Sequence, residues 1–167
     1  MRGIRVWARL VGLRRAVIED VWIGEDGEVV VAVRPDWRER DRCGICRRRS
    51  PGCDLGAGRR RWRVLDLGTT LAYVEAGAPR VTCRRHGVVV CAVPWARHDS
   101  RLGTAFEDQV CWLAVHTSKT AVAAVMRIAW RTVGGICERL PHAVRCVDPF
   151  HVVQLATEAL DLVRREV

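Results

Sequence analysis

The chain has 167 residues, room for one ordinary domain or two small ones; 49% apolar and 28% charged residues place it among globular proteins and exclude whole-chain disorder. Its longest apolar run, Val88 to Ala96, falls well short of the ~18 to 20 residues of a bilayer span, and Arg9, Arg14 and Arg15 interrupt any secretory signal core, so a cytoplasmic protein with no membrane partner is expected. Lys+Arg 28 against Asp+Glu 19 gives +9; residues 1–100 hold 20 cations and 12 acids (+8) and residues 101–167 hold 8 and 7 (+1), a clustering typical of nucleic-acid binders.

In chain order, Trp7 to Leu13 is a short apolar stretch of one or two helical turns. Val17 to Ile23 and Glu28 to Val33 are β-rich runs around Gly24-Glu25-Asp26-Gly27, and Asp-Gly between such runs predicts a hairpin, closed by Pro35 and the charged run to Arg42. A second β region follows at Val64–Leu67, Leu71–Glu75, Arg80–Cys83 and Val88–Val93. Residues up to about 95 therefore read as small hairpins hung around Cys/His pairs. From Thr104 the apolar period becomes helical, with Phe106, Val110, Leu113 and Ala114 on one face. Thr117 or Ser118 caps a second helix running to about Met126, and a third spans Trp130 to Leu140. Beyond Pro141 a short strand (Ala143–Val147) and an amphipathic helix (Phe150–Glu166) are expected. The predicted class is α+β: an N-terminal helix and β-hairpin (1–40), a zinc-ribbon-like domain (41–96), a helix-turn-helix (101–140) and a C-terminal segment (141–167).

Eight cysteines in a reducing compartment point to metal or buried thiols rather than disulfides. Cys43-Gly-Ile-Cys46 and Cys83-Arg-Arg-His86 are two ligand pairs on tight turns, the donor set a tetrahedral Zn²⁺ takes. One C-x-x-C alone would equally suit redox chemistry; the second pair is what favours Zn²⁺. Between Arg42 and Arg63 the only acid is Asp54, and Arg47, Arg48, Arg49, Arg59, Arg60 and Arg61 are candidate phosphate contacts, the alternative being a solvated basic loop. Trp62 and Trp95 read as core. The helices from 104 to 140 have helix-turn-helix spacing, with Val122, Ala123, Met126, Ile128, Val133 and Ile136 facing inward. Lys119, Arg127, Arg131, Thr132 and Arg139 are the candidate DNA contacts, with Gly135 and Glu138 also on the outward face of the third helix. Arg127 stands in the turn where glycine is frequent; a helical hairpin without DNA contact is the competing reading.

These motifs resemble the ISL3 family of bacterial insertion-sequence transposases in its actinobacterial form. DRCGICRRRSP (Asp41–Pro51), RRRWRVLDLGTT (Arg59–Thr70) and PRVTCRRHG (Pro79–Gly87) look like its zinc finger, and TSKTAVA (Thr117–Ala123) with AWRTVG (Ala129–Gly134) like its helix-turn-helix. The resemblance implies double-stranded DNA at insertion-sequence terminal repeats as partner, and homodimerisation or association with full-length transposase. It also implies a ribonuclease-H-like domain with an Asp, Asp, Glu triad, of which CVDPFHVVQLATEAL (Cys146–Leu160) resembles the surroundings of the second aspartate. About a hundred family residues are then missing between the helix-turn-helix and Asp148, and the third acid is absent. Asp148 alone cannot hold two ions for phosphodiester transfer, so catalysis is not expected and Asp148 is a remnant. The expected function is a DNA-binding fragment of a transposase; alternatives are a transcriptional regulator, an inhibitor of full-length transposase, or a decaying gene product.

Overall fold

The computed structural model of the chain describes residues 6, 7 and 9–140; the strand and helix expected beyond Pro141, and Asp148 with them, lie outside the described residues. The fold is α+β. Two compact units result, one ending at Phe106 and the other beginning at Glu107.

Near the start, Val6, Trp7, Arg9 and Leu10 are helical. Strands β1 (Ala16–Ile23) and β2 (Val29–Pro35) form the antiparallel hairpin expected at Asp26-Gly27. The Gly24 N–H donates to the Glu28 carbonyl at 2.8 Å, and Gly27 takes a φ of +78°, where a side chain would strain the backbone. Val29 to Val33 of β2 are buried at every position, as they must be in a strand covered on both faces. What covers β2 along its second edge is non-local. Strand β5 (Thr70–Gly77) pairs with it in parallel, Val29 opposite Ala72 and Val31 opposite Val74. Strand β4 (Arg59–Leu67) returns antiparallel on β5, giving the sheet order β1-β2-β5-β4.

The segment between the Cys/His pairs thus supplies two strands of the four-stranded sheet, and β4 begins five residues before the expected Val64. In β4 the side chains alternate, Trp62 and Val64 buried between Arg61 and the half-buried Arg63, so the arginine run is a pleated strand with one face wet. Trp62 meets Trp95 edge to face, 5.7 Å between ring centroids, inside a core that includes Val31, Val33, Val74 and Ala76. By area, burying each indole contributes ~4 to 6 kcal/mol before entropy is subtracted.

A second sheet holds β3 (Gly52–Asp54), β6 (Arg80–Cys83) and β7 (Gly87–Val90) in the order β3-β6-β7. Its small core is Cys43, Val81 and Cys83.

The remaining elements are helices α1 (Thr104–His116), α2 (Lys119–Met126) and α3 (Trp130–Arg139). Helical spacing places Val110 and Ala114 on α1, Val122 and Met126 on α2, and Val133 and Ile136 on α3 among the buried residues. Helices α2 and α3 pack on each other. The Ser118 hydroxyl accepts the Ala121 N–H at 3.2 Å and caps α2. At its other end Arg127 takes left-handed φ 51°, ψ 48°; its N–H donates to Ala124 O (3.3 Å) and the Ile128 N–H to Ala123 O (3.1 Å). This paired closure is normally built on glycine, and here an arginine accepts the strain. Among the described residues no helix is long and apolar enough to cross a membrane.

Candidate metal centre and nucleic-acid interface

The first ligand pair sits on a knuckle closed by the backbone. The Cys43 N–H donates to Arg48 O and the Arg47 N–H to Cys43 O, each at 2.9 Å. Gly44 presses against the Val90 carbonyl, where a Cβ would lie 2.5 Å from the oxygen, so only glycine fits there. The second pair occupies the β6–β7 turn: Cys83 pairs with Gly87, whose φ is +66°. A bridge between Cys43 and Cys91 joins the knuckle to the strand leaving that turn.

Four side chains converge from these two turns. Cys43, Cys46, Cys83 and His86 place one ligand atom each within 4.8 Å of the others. Cys46 and Cys83 sulfurs are 3.7 Å apart, and His86 Nδ1 lies 3.5 Å from Cys43 Sγ and 3.6 Å from Cys83 Sγ. A tetrahedral ion with ~2.3 Å bonds to sulfur and a ~2.0 Å bond to nitrogen separates two sulfurs by ~3.8 Å and a sulfur from a nitrogen by ~3.5 Å. The three distances above match such edges within ~0.1 Å, and all four ligand atoms stay within 4.8 Å of one another.

Electrostatics agree. The Cys83 thiol is pulled down to about 6, first by the Arg85 N–H, against the opposing effect of burial, and further by the His86 N–H and ring. Cys46 also receives an N–H, from Arg48, yet burial and the adjacent Cys43 and Cys83 sulfurs leave it raised. Three sulfurs this close cannot all be thiolates unless a cation sits among them. A divalent ion with three thiolates and a neutral imidazole meets that need.

The arginines expected at DNA fall into different situations. Arg59 and Arg61 both grip Glu75, at 2.7 and 2.8 Å, and Arg61 also reaches Glu28 at 3.2 Å. Arg61 stands directly opposite Glu75 in the β4–β5 register, a cross-strand ion pair. Arg60 donates to the Ser100 carbonyl at 2.9 Å and lies over the Trp62 ring. Arg47 donates to the Val93 carbonyl at 3.1 Å. Arg48 and Arg49 are exposed and carry no side-chain partner among the described residues, and the same is true of Arg84 and Arg85, which the sequence reading passed over inside the C-x-x-H gap. The signal for those two was their place between ligands.

On the helical unit, Trp130, Arg131, Thr132, Gly135 and Arg139 line one open face of α3. Arg131 is exposed, and the Arg139 Nε donates back to Gly135 O at 2.8 Å. Lys119, at the start of α2, lies 5.0 Å over the ring of Trp130, at the start of α3. Arg127 occupies the turn between them.

Comparison with known proteins meets this geometry from the sequence side. Residues 39–86 match the family model described as the zinc-finger of transposase IS204/IS1001/IS1096/IS1165, which takes in all four converging ligands. Residues 91–140 match the helix-turn-helix domain of transposase family ISL3. The chain belongs to the ISL3 transposase family. Among its relatives is the transposase for insertion sequence element IS1557 of Mycobacterium tuberculosis, strain CDC 1551 / Oshkosh, 50% identical over 146 residues, 84% of this chain and 33% of the relative. The same transposase of strain ATCC 25618 / H37Rv matches with the same figures. The chain spans about a third of the length of these curated relatives. No solved structure matches it. The ISL3 helix-turn-helix match begins at Cys91, so it includes the segment carrying Trp95 and Arg101 ahead of α1.

Proposed function

We propose that the chain is the DNA-recognition part of an ISL3-family transposase, binding double-stranded DNA at the terminal repeats of its element. One observation carries the reading: α2, the left-handed turn at Arg127 and α3 leave Arg131, Thr132 and Arg139 together on an open helix face. Such a face suits the major groove, where Arg131 would take a guanine edge and Thr132 and Arg139 would position the helix on bases and phosphates. Zn²⁺ held by Cys43, Cys46, Cys83 and His86 would supply a structural cross-link that fixes the β3-β6-β7 sheet. Glu75 holds Arg59 and Arg61 in place, so those two arginines shape the sheet more than they seek phosphate. Action on chromosomal DNA in a bacterium would put the protein in the cytoplasm.

The test uses the whole chain and duplexes cut from the two ends of the element carrying its gene, against scrambled duplexes of equal length. Arg131→Ala should cost ~1 to 3 kcal/mol of discrimination at one base pair and little at the others. Equal binding of end and scrambled duplexes by the wild type would sink the proposal.

A further inference from the structure

Arginine is the commonest charged side chain here, yet most of the arginines on the β sheets already sit on carboxylates. Arg59 and Arg61 share Glu75, Arg63 bonds Asp66 at 3.2 Å, and the Arg80 Nε reaches Asp54 at 2.8 Å. A guanidinium so engaged has less to offer a phosphate, because its partner's charge must be displaced or carried along. The two metal-binding turns are different. Arg48 and Arg49 follow Cys46, Arg84 and Arg85 stand between Cys83 and His86, and all four are exposed with no ion pair or side-chain hydrogen bond among the described residues.

The ligand cluster draws these two pairs to one spot. The Arg48 N–H points at the Cys46 sulfur and the Arg85 N–H at the Cys83 sulfur, while the sulfurs are 3.7 Å apart. Thirty-five residues separate Arg49 from Arg85 along the chain, but their turns are joined at the centre. Charge bookkeeping still favours an anion. With Zn²⁺ bound, the trithiolate centre would carry −1; adding the carboxylate of Asp41, two residues before Cys43, the four guanidiniums still leave +2. Exposure on turn tips lets the side chains reach outward, while the backbone N–H groups of Arg48 and Arg85 face sulfur.

We infer that Arg48, Arg49, Arg84 and Arg85 form one phosphate-binding clamp on the DNA backbone, assembled by the metal centre and separate from the base-reading face of α3. The inference rests on the DNA-recognition reading above and assigns the sequence-independent part of the affinity to residues within the zinc finger. Each turn contributes two phosphate contacts, so each should account for its own share of counterion release.

Fluorescence anisotropy of the whole chain on a duplex of arbitrary sequence, between 50 and 200 mM KCl, reads this directly. Arg84→Ala/Arg85→Ala should flatten the slope of log K against log salt by about 1.8, so that the wild type loses about 12-fold more affinity than the variant across that range. Arg48→Ala/Arg49→Ala should do the same, and Arg59→Ala/Arg61→Ala should change the slope by less than about 0.5. Metal content is measured on every variant. Arg84→Lys/Arg85→Lys, which keeps both charges, should restore the slope; a lysine variant as flat as the alanine one overturns the inference. A wild type that binds with a steep slope which both alanine pairs retain also overturns it, and leaves the DNA-recognition reading standing. A wild type with no salt-dependent duplex binding sinks that reading itself.

Discussion

Shortening Ile136 probes whether α3, the helix proposed to read bases, depends on its buried face. Ile136 is 1% exposed on the inner side of α3, beside the fully buried Val133 and on a helix that packs on α2, so Ile136→Ala removes three buried carbons and leaves a cavity. Such truncations cost ~2 to 5 kcal/mol. The 34 described residues of the helical unit, Glu107 to Leu140, supply ~2 to 5 kcal/mol of stability at ~0.05 to 0.15 kcal/mol per residue. Loss and reserve are the same size. The alanine variant should therefore lose half or more of the α-helical circular-dichroism signal at 25 °C, and with it discrimination between end and scrambled duplexes. Zinc content should stay at the wild-type level, because the ligands belong to the other unit. Ile136→Val, costing ~0.5 to 1.5 kcal/mol, should stay folded and melt roughly 5 °C lower or more. An alanine variant that melts with the wild type and still discriminates would refute the reasoning.

Other outcomes follow from the same geometry. Purified protein should carry one equivalent of zinc, and Cys43→Ser should lose it together with the β3-β6-β7 sheet; less than a tenth of an equivalent in the wild type, with a fold indifferent to chelator, contradicts the assignment. Arg127→Gly relieves a left-handed φ of 51° and should stabilise the helical unit by up to ~1 kcal/mol in a urea titration, the gain being trimmed by glycine's extra freedom in the unfolded chain. Asp54 is held at about 2, first by its hydrogen bond from Arg80 and then by the Gly56 N–H. Its depressed pKa contributes stability above the ordinary aspartate value near 3.9 that is lost as the pH falls toward 2, so Asp54→Asn should make the melting temperature less sensitive to acid between pH 4 and 2.

The helical unit was legible in the sequence because its signals are local: apolar spacing and a serine cap place the start of the first helix and both ends of the other two within a residue or so of those observed. The converging Cys43, Cys46, Cys83 and His86 were legible for the same reason, two pairs each defined by a three-residue step. The larger sheet was legible only strand by strand. Its parallel β2–β5 pairing joins Val31 to Val74 across 42 intervening residues, and no local pattern encodes that register. Arg59 to Arg61 gave no strand signal in the sequence because arginine carries little strand preference; the alternation with Trp62 and Val64 marks the strand only once Glu75 is seen opposite Arg61. Sorting the arginines likewise needed three dimensions, since composition alone cannot separate those neutralised on Glu75 from those left open on the knuckles.

The central claim is that this chain reads DNA sequence, and selection from a randomised duplex pool tests it most directly. After several rounds with the wild-type chain, one motif should dominate and bind at least about a thousand-fold tighter than the unselected pool at physiological salt. Arg131→Ala, carried through the same selection, should relax the motif at one position. A pool that stays random through selection, with every duplex bound equally, would contradict the account.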